Sequence, residues 1–302
     1  MMTQVSDILN ALDESMDCQF AGGKSQNTIA TGISIDSRTL VPGEIFFALK
    51  GTTTNGHQFI AEALQKGASL VVAEKSAIDV ENHPVTAPAI VYVPSVLRAL
   101  QILARWHRKN LFKQVLAVTG SNGKTLFKDA LKTIFARHSV IASPGSYNGA
   151  LGLPLSILQA NDSTELGIFE VGVAGPNEMS QLQDIVNPTF GVLINIGMAH
   201  IAAYRNREQI AEEKLKLFAN IPENGWILVP DVNNEPLIKK ALELNCKVHQ
   251  LGKGPRSIGL DIIKFQGNRT IIQLYAEQKS EIQIEVKTPS PEIITDLHFA
   301  AS

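Results

Sequence analysis

Residues 115–125 read VLAVTGSNGKT. Four apolar residues, Val115 to Val118, run straight into Thr119-Gly120-Ser121-Asn122-Gly123-Lys124-Thr125, and a helix-forming stretch follows over residues 126–137. So short an apolar run suits a buried strand. Glycines in the turn let backbone N–H groups approach an anion, and the helix N-terminus behind them adds partial positive charge. The standard phosphate loop is G-x-x-x-x-G-K-[ST]. Val118 stands at its first glycine position, so the match is a compact variant that opens at Gly120. In this variant Gly120, Ser121, Asn122 and Gly123 shape the cradle, Lys124 supplies charge for the β- and γ-phosphates, and the Thr125 hydroxyl can ligand Mg2+. A glycine-rich turn that binds nothing has the same outline, but the strand-to-helix context and the Lys-Thr placement favour phosphate.

Strands and helices alternate downstream. GIFEV (167–171), GVLIN (191–195) and WILV (226–229) read as strands, and residues 177–185 and 207–218 as helices. This order implies a mainly parallel, doubly wound sheet. Residues 259–287 change to short alternating segments, which predict antiparallel strands. Upstream, residues 5–12 read as a helix, GISID (32–36) and IFFAL (45–49) as strands around a Val41-Pro42-Gly43 turn, residues 56–66 as a helix, and residues 69–72 and 89–93 as strands. Ser95 reads as an N-cap, with Val96, Leu97, Leu100, Leu103 and Trp106 behind it at helical spacing. The polar run His107-Arg108-Lys109-Asn110 ends that helix. The expectation is an α/β chain of two domains, residues 1–110 and 111–302. The chain stops at Phe299-Ala300-Ala301-Ser302 within a helical pattern.

Composition narrows the class. With 27 Lys+Arg against 29 Asp+Glu the 302-residue chain carries −2, so bulk charge gives no reason to seek nucleic acid or an anionic membrane. No apolar run approaches the roughly 18–20 residues of a membrane helix. Residues 1–20 hold acidic residues and no apolar core, unlike a signal peptide. Cys18 and Cys246 lie outside any metal or redox spacing and read as reduced thiols of a cytoplasmic protein.

Further candidates lie at strand ends and turns. Glu170 closes GIFEV, where ligands of doubly wound sheets bind; it reads equally as a metal carboxylate or an edge charge. His200 follows GVLIN and reads as a structural histidine or a ligand. Lys214, among Glu212 and Glu213, reads as a solvated helix-face charge. Asn148, in SYNGALGLP, reads as a turn residue or a ligand contact. Asp36-Ser37-Arg38 reads as a cap and a surface charge, or as a serine and arginine that hold a phosphate. Asn55-Gly56-His57 reads as a turn before a helix.

Together the segments resemble the Mur ligase family, the ATP-dependent amide-forming enzymes of peptidoglycan precursor synthesis. IDSRTLVPGEIFFALKG and NGHQFIAEALQKGASLVV carry the likeness in the first domain. VTGSNGKT, SYNGALGLPLSIL, IFEVGVAGPNEM, INIGMAHI and EEKLKLF carry it in the second, in family order. The resemblance implies a small N-terminal UDP-sugar-binding α/β domain and a central, mainly parallel phosphate-loop ATPase domain. It implies that Lys124 binds phosphate and that Thr125, Glu170, His200 and Lys214 form the metal sites, with Lys214 carbamylated. Asn233 and Asn234 fall near the adenine, and Ser37, Arg38, His57 and Asn148 near the UDP-sugar. The implied cofactors are ATP and Mg2+.

YNGALGLPLSIL points to the member that joins D-alanyl-D-alanine to UDP-N-acetylmuramoyl-tripeptide through an acyl phosphate, acting as a cytoplasmic monomer. The family's third domain is missing, so the chain reads as a truncated form that binds substrate and ligates weakly or not at all. Leu126 replaces a usual second hydroxyl, Gly149 a common second asparagine, and Asn55 the usual aspartate, and VPDVNN (229–234) departs from the usual Asn-x-Asp. A folate-type or other muramoyl ligase and a non-catalytic nucleotide or UDP-sugar binding module remain alternatives.

Overall fold

The computed structural model describes residues 3–21, 28–75, 89–197, 203–230, 235–251, 257–266, 269–276 and 280–287. The described residues divide into two compact units. One holds those up to Lys113 together with Ala150–Gly167, the other those of Gln114–Gly149 and from Ile168 onward. The pattern at Phe299 to Ser302 lies outside the described residues.

In the first unit, β1 (Thr3–Gln4) and β3 (Ile29–Ala30) pair antiparallel, and β2 (Gln19–Ala21), β7 (Ala89–Val93), β6 (Leu70–Glu74), β5 (Glu44–Phe47) and β4 (Gly32–Ser34) form a sheet in that order. β4 to β7 pair in parallel, and β2 adds antiparallel to the β7 edge. Ile45, Phe46 and Phe47 are all buried, as are Leu70 to Ala73. A strand covered on both faces needs no polar alternation, so its sequence is a continuous apolar run. The segment expected as one helix over residues 56–66 is a 3-10 turn, Gly56–Phe59, followed by α2 (Ile60–Gln65). Asn55 caps the turn by accepting from the His57 amide at 3.2 Å. Gly56 fits because a Cβ there would meet the Leu49 carbonyl oxygen at 2.6 Å.

α1 (Val5–Asp13) buries Val5, Ile8, Leu9 and Leu12 at the predicted place. α3 (Val96–Leu111) starts at Ser95, whose Oγ accepts from the Arg98 amide at 3.3 Å. Its polar end is only partly solvated, with Lys109 and Asn110 exposed but the two residues before them buried. His107 is buried and donates from Nε2 to the Ala160 carbonyl at 3.1 Å. The buried Arg108 donates to the Phe112 carbonyl at 3.0 Å, and burial pushes its guanidinium down to about 10. α5 (Gly152–Ile157), a helix the sequence reading does not assign, packs on α3. Pro154 lies in the first turn of α5, where a missing N–H costs nothing.

The second unit is built on one sheet. Its order is β16 (Ser280–Lys287), β15 (Arg269–Ala276), β14 (Ser257–Gln266), β13 (Lys247–Leu251), β12 (Trp226–Pro230), β11 (Phe190–Leu193), β8 (Gln114–Thr119), β10 (Leu166–Glu170), β9 (Val140–Ala142). β8, β11, β12, β13 and β14 pair in parallel, and β14 to β16 form the expected antiparallel meander. α4 (Lys124–Ile134), α6 (Met179–Val186), α7 (Arg207–Leu215) and α8 (Glu235–Ala241) alternate with the strands. The mainly parallel, doubly wound expectation holds. α4 starts two residues earlier than predicted because Gly123 caps it at φ +77°, a left-handed conformation. The stretch expected as a helix to Phe218 tightens into a 3-10 turn at Lys216–Phe218.

Candidate functional site

β8 ends at Thr119 and delivers the loop to the carboxyl end of the sheet, between β11 and β10. Asn195, just past β11, fixes the loop's shape. Its Oδ1 accepts from the Ser121 and Asn122 amides, both at 3.0 Å, and its Nδ2 donates to the Asn122 carbonyl at 3.1 Å. The Ser121 hydroxyl accepts from the Gly197 amide at 2.9 Å. A Cβ on Gly120 would lie 3.2 Å from Ile194 Cβ, so that glycine permits close approach to β11. A Cβ on Gly123 would meet nothing within 4 Å. That open space lies over the first amides of α4, which no preceding turn supplies with acceptors.

Two cations converge on the loop. Lys124 Nζ donates to the Gly120 and Ser121 carbonyls at 2.9 and 3.3 Å. Lys214, buried on α7, donates to the same Gly120 carbonyl at 3.0 Å. Burial lowers the Lys124 ammonium, against the favourable charge of Glu170. Burial, with Lys124's charge second, pushes Lys214 down to about 8. Lys214 is thus no solvated helix-face charge. Two cations on one carbonyl, Lys214 buried and Lys124 half-buried, create a demand for an anion.

Glu170 is buried, at 1% exposure, with both carboxylate oxygens held. Thr125 Oγ1 donates to Oε2 at 2.6 Å, and Asn148 Nδ2 donates to Oε1 at 2.5 Å. The Glu170 amide donates to Ser143 Oγ at 3.2 Å. Glu170 is therefore not an edge charge, nor Asn148 only a turn residue. An open cradle at a helix N-terminus with two lysines fits a nucleotide phosphate. A hydroxyl and a carboxylate meeting beside it are hard oxygen donors that fit Mg2+, which uses one or two carboxylates and takes further oxygens from phosphate and water.

The remaining candidates separate from this group. His200, Asn233 and Asn234 lie outside the described residues. Ser37, Arg38 and His57 belong to the first unit. Ser37 is buried; its hydroxyl donates to Glu62 Oε2 at 2.9 Å, and Lys66 Nζ donates to its carbonyl at 2.7 Å. Arg38 is 83% exposed and bonds the Asp36 carboxylate, holding that acid down at about 2. His57 Nε2 accepts from the Glu74 amide at 2.8 Å, so the neutral ring donates from Nδ1 to Asn55 Oδ1 at 2.7 Å. Burial also lowers its affinity for a second proton. Both ring nitrogens are thus engaged within the unit. Asn55's oxygen accepts here, as an aspartate's would.

Sequence reasoning missed Asn195, Ser143 and Lys128. Asn195 lies just past a strand's carboxyl end, the region whose position singles out Glu170. Lys128 repeats Lys124 four residues on, hence on the same helix face.

Comparison with known proteins places the chain. The Mur ligase middle domain matches residues 118–295, and the Mur ligase family, catalytic domain, matches residues 30–108. The chain belongs to the Mur ligase family. Among curated relatives of this Mur ligase chain, a UDP-N-acetylmuramoyl-tripeptide–D-alanyl-D-alanine ligase of Bacillus subtilis is 32% identical over 77% of the chain and 50% of its own length. One of Rickettsia prowazekii is 33% identical over 82% of the chain and 55% of its own length. The chain thus spans about half the length of the curated relatives it matches. The crystal structure of a MurF ligase from Thermotoga maritima in complex with ADP superposes with a TM-score of 0.75 at 29% identity, covering 90% of this chain and 61% of that one.

Proposed function

We propose that this Mur ligase chain carries the UDP-sugar- and ATP-binding parts of an enzyme that joins D-alanyl-D-alanine to UDP-N-acetylmuramoyl-tripeptide. The observation that carries the phosphoryl chemistry is the Thr125–Glu170 pair beside the phosphate loop. The choice of substrates rests on the relatives, which share that one name. ATP supplies the phosphoryl group that activates the tripeptide carboxylate as an acyl phosphate, which the dipeptide amine then displaces. Lys124 swings from its loop carbonyls to the transferring phosphate and neutralises charge there. Thr125 and Glu170 would hold Mg2+, which would supply further charge neutralisation. Lys214, with its lowered affinity for a proton, offers the neutral amine that carbamylation requires. Ser37 and Arg38 hold the uridine diphosphate in the first unit.

A thermal-shift titration with UDP-N-acetylmuramoyl-tripeptide, Mg-ATP and a folate tests the reading. A ligand that binds only the folded chain raises the midpoint as its concentration passes Kd. The tripeptide nucleotide and Mg-ATP are expected to raise it and the folate to leave it unchanged. A shift with the folate and none with the tripeptide nucleotide sinks the substrate assignment. Lys124→Ala is expected to remove the Mg-ATP shift and keep the other.

A further inference from the structure

α4 buries one side chain, and it is a lysine. Lys128 is 1% exposed, whereas Leu126 and Ile134 on the same helix are exposed. An ammonium in such a place requires compensating partners. Nζ donates to the Ser143 carbonyl at 2.6 Å and the Gly145 carbonyl at 3.0 Å, and pairs with Asp129 at 2.9 Å. Lys128 thereby ties the helix that carries Thr125 to the segment that runs from Ser143 to Asn148. Those two elements grip Glu170 from opposite sides, Thr125 on Oε2, Asn148 on Oε1, and Ser143 on its amide. Without the tie, nothing else described bonds α4 to residues 143–145.

We propose that Lys128 is a positioning residue for the divalent cation, setting the separation at which Thr125 and Asn148 hold the Glu170 carboxylate. It touches neither metal nor nucleotide and acts through the 143–148 segment. The inference rests on Thr125 and Glu170 as the Mg2+ donors. Groups that hydrogen-bond a metal ligand directly, as Asn148 and Ser143 do with Glu170, are worth about 10- to 100-fold in metal affinity, and Lys128 positions the segment that carries both.

The test is calorimetric titration of ADP into the chain, with Mg2+ varied and with EDTA, for the unsubstituted protein, Lys128→Met and Lys128→Gln. Gln keeps N–H donors for a carbonyl and guards against loss of folding in the Met variant. Lys128→Met is expected to weaken Mg2+ about tenfold or more in the ADP complex, with Gln intermediate. ADP affinity in EDTA is expected to stay within about twofold in both, which a general loss of structure would not allow. Unchanged Mg2+ affinity in either folded variant, when the unsubstituted chain shows Mg2+-dependent binding, overturns this inference alone. Equal losses with and without Mg2+, or unfolding of both variants, overturn it by making Lys128 a general stabilising residue. No Mg2+ dependence in the unsubstituted chain overturns the metal assignment and this inference with it.

Discussion

Lys214 and Lys124 donate to one carbonyl, and the consequence is measurable as a pH dependence. The folded-state pKa of Lys214, about 8, is below its ordinary value of 10.5. The unfolded chain therefore binds more protons between those values, and stability rises with pH across that window. Below about pH 8 the full cost of the buried charge is present. Urea unfolding of the chain and of Lys214→Met, in CO2-depleted buffer, is expected to show the unsubstituted chain gaining about 2 kcal/mol on the variant between pH 7 and pH 10. Parallel pH profiles would refute the buried-cation account. Asn195 makes a second residue-scale case. Its side chain holds Ser121 and Asn122 through three hydrogen bonds, so Asn195→Ala leaves the loop to be ordered by the ligand itself. ADP affinity is expected to fall at least about tenfold, read by calorimetry, because the ordering cost moves into the binding step.

At the scale of elements, two glycines separate a binding requirement from a packing one. Gly123 caps α4 at φ +77° with open space around its absent side chain. Gly123→Ala is expected to cost about 1–2 kcal/mol in backbone strain and to abolish nucleotide binding, since the methyl would project into the cradle. Gly191 on β11 faces the Phe218 ring, which fills the place of a side chain. Gly191→Ala is expected to lower the melting temperature more than Gly123→Ala, with nucleotide affinity retained wherever the chain remains folded. Elements with strong local signals were legible in the sequence. The buried strands β5, β6 and β8 show as unbroken apolar runs, and α3 shows through its Ser95 cap. β9 and β13 are short strands held by their neighbours in the sheet, and α8 is a two-turn helix held against α7, so no local pattern marks them. The site divides in the same way. Lys124 and Thr125 belong to a local motif, whereas a strand-end position for Asn195 or a helix-face spacing for Lys128 does not name the partners that these residues and Ser143 meet in other segments.

For the whole molecule, the proposed activity needs small-molecule binding, and a net charge of −2 adds little bulk attraction to it. The two units carry different chemistry for it. The second gathers the phosphate loop, Lys214, Glu170 and Asn148, all suited to a polyphosphate and its cation. The first holds a polar group of another kind, in which Ser37, Arg38, Asp36, Glu62 and Lys66 satisfy one another. A ligand that orders a segment lowers the frequency of its local opening, and amide exchange reports that opening segment by segment. Mg-ADP is expected to slow exchange in residues 119–128, 143–148 and 193–197 with little effect on residues 32–66. UDP-N-acetylmuramoyl-tripeptide is expected to slow exchange in residues 32–66 even without nucleotide. Protection of the phosphate loop alone by both ligands would locate the uridine diphosphate with the ATP phosphates and remove Ser37 and Arg38 from the substrate site. Protection of residues 32–66 by the tripeptide nucleotide, lost in Arg38→Ala while the Mg-ADP pattern stays intact, would assign the uridine diphosphate to the first unit.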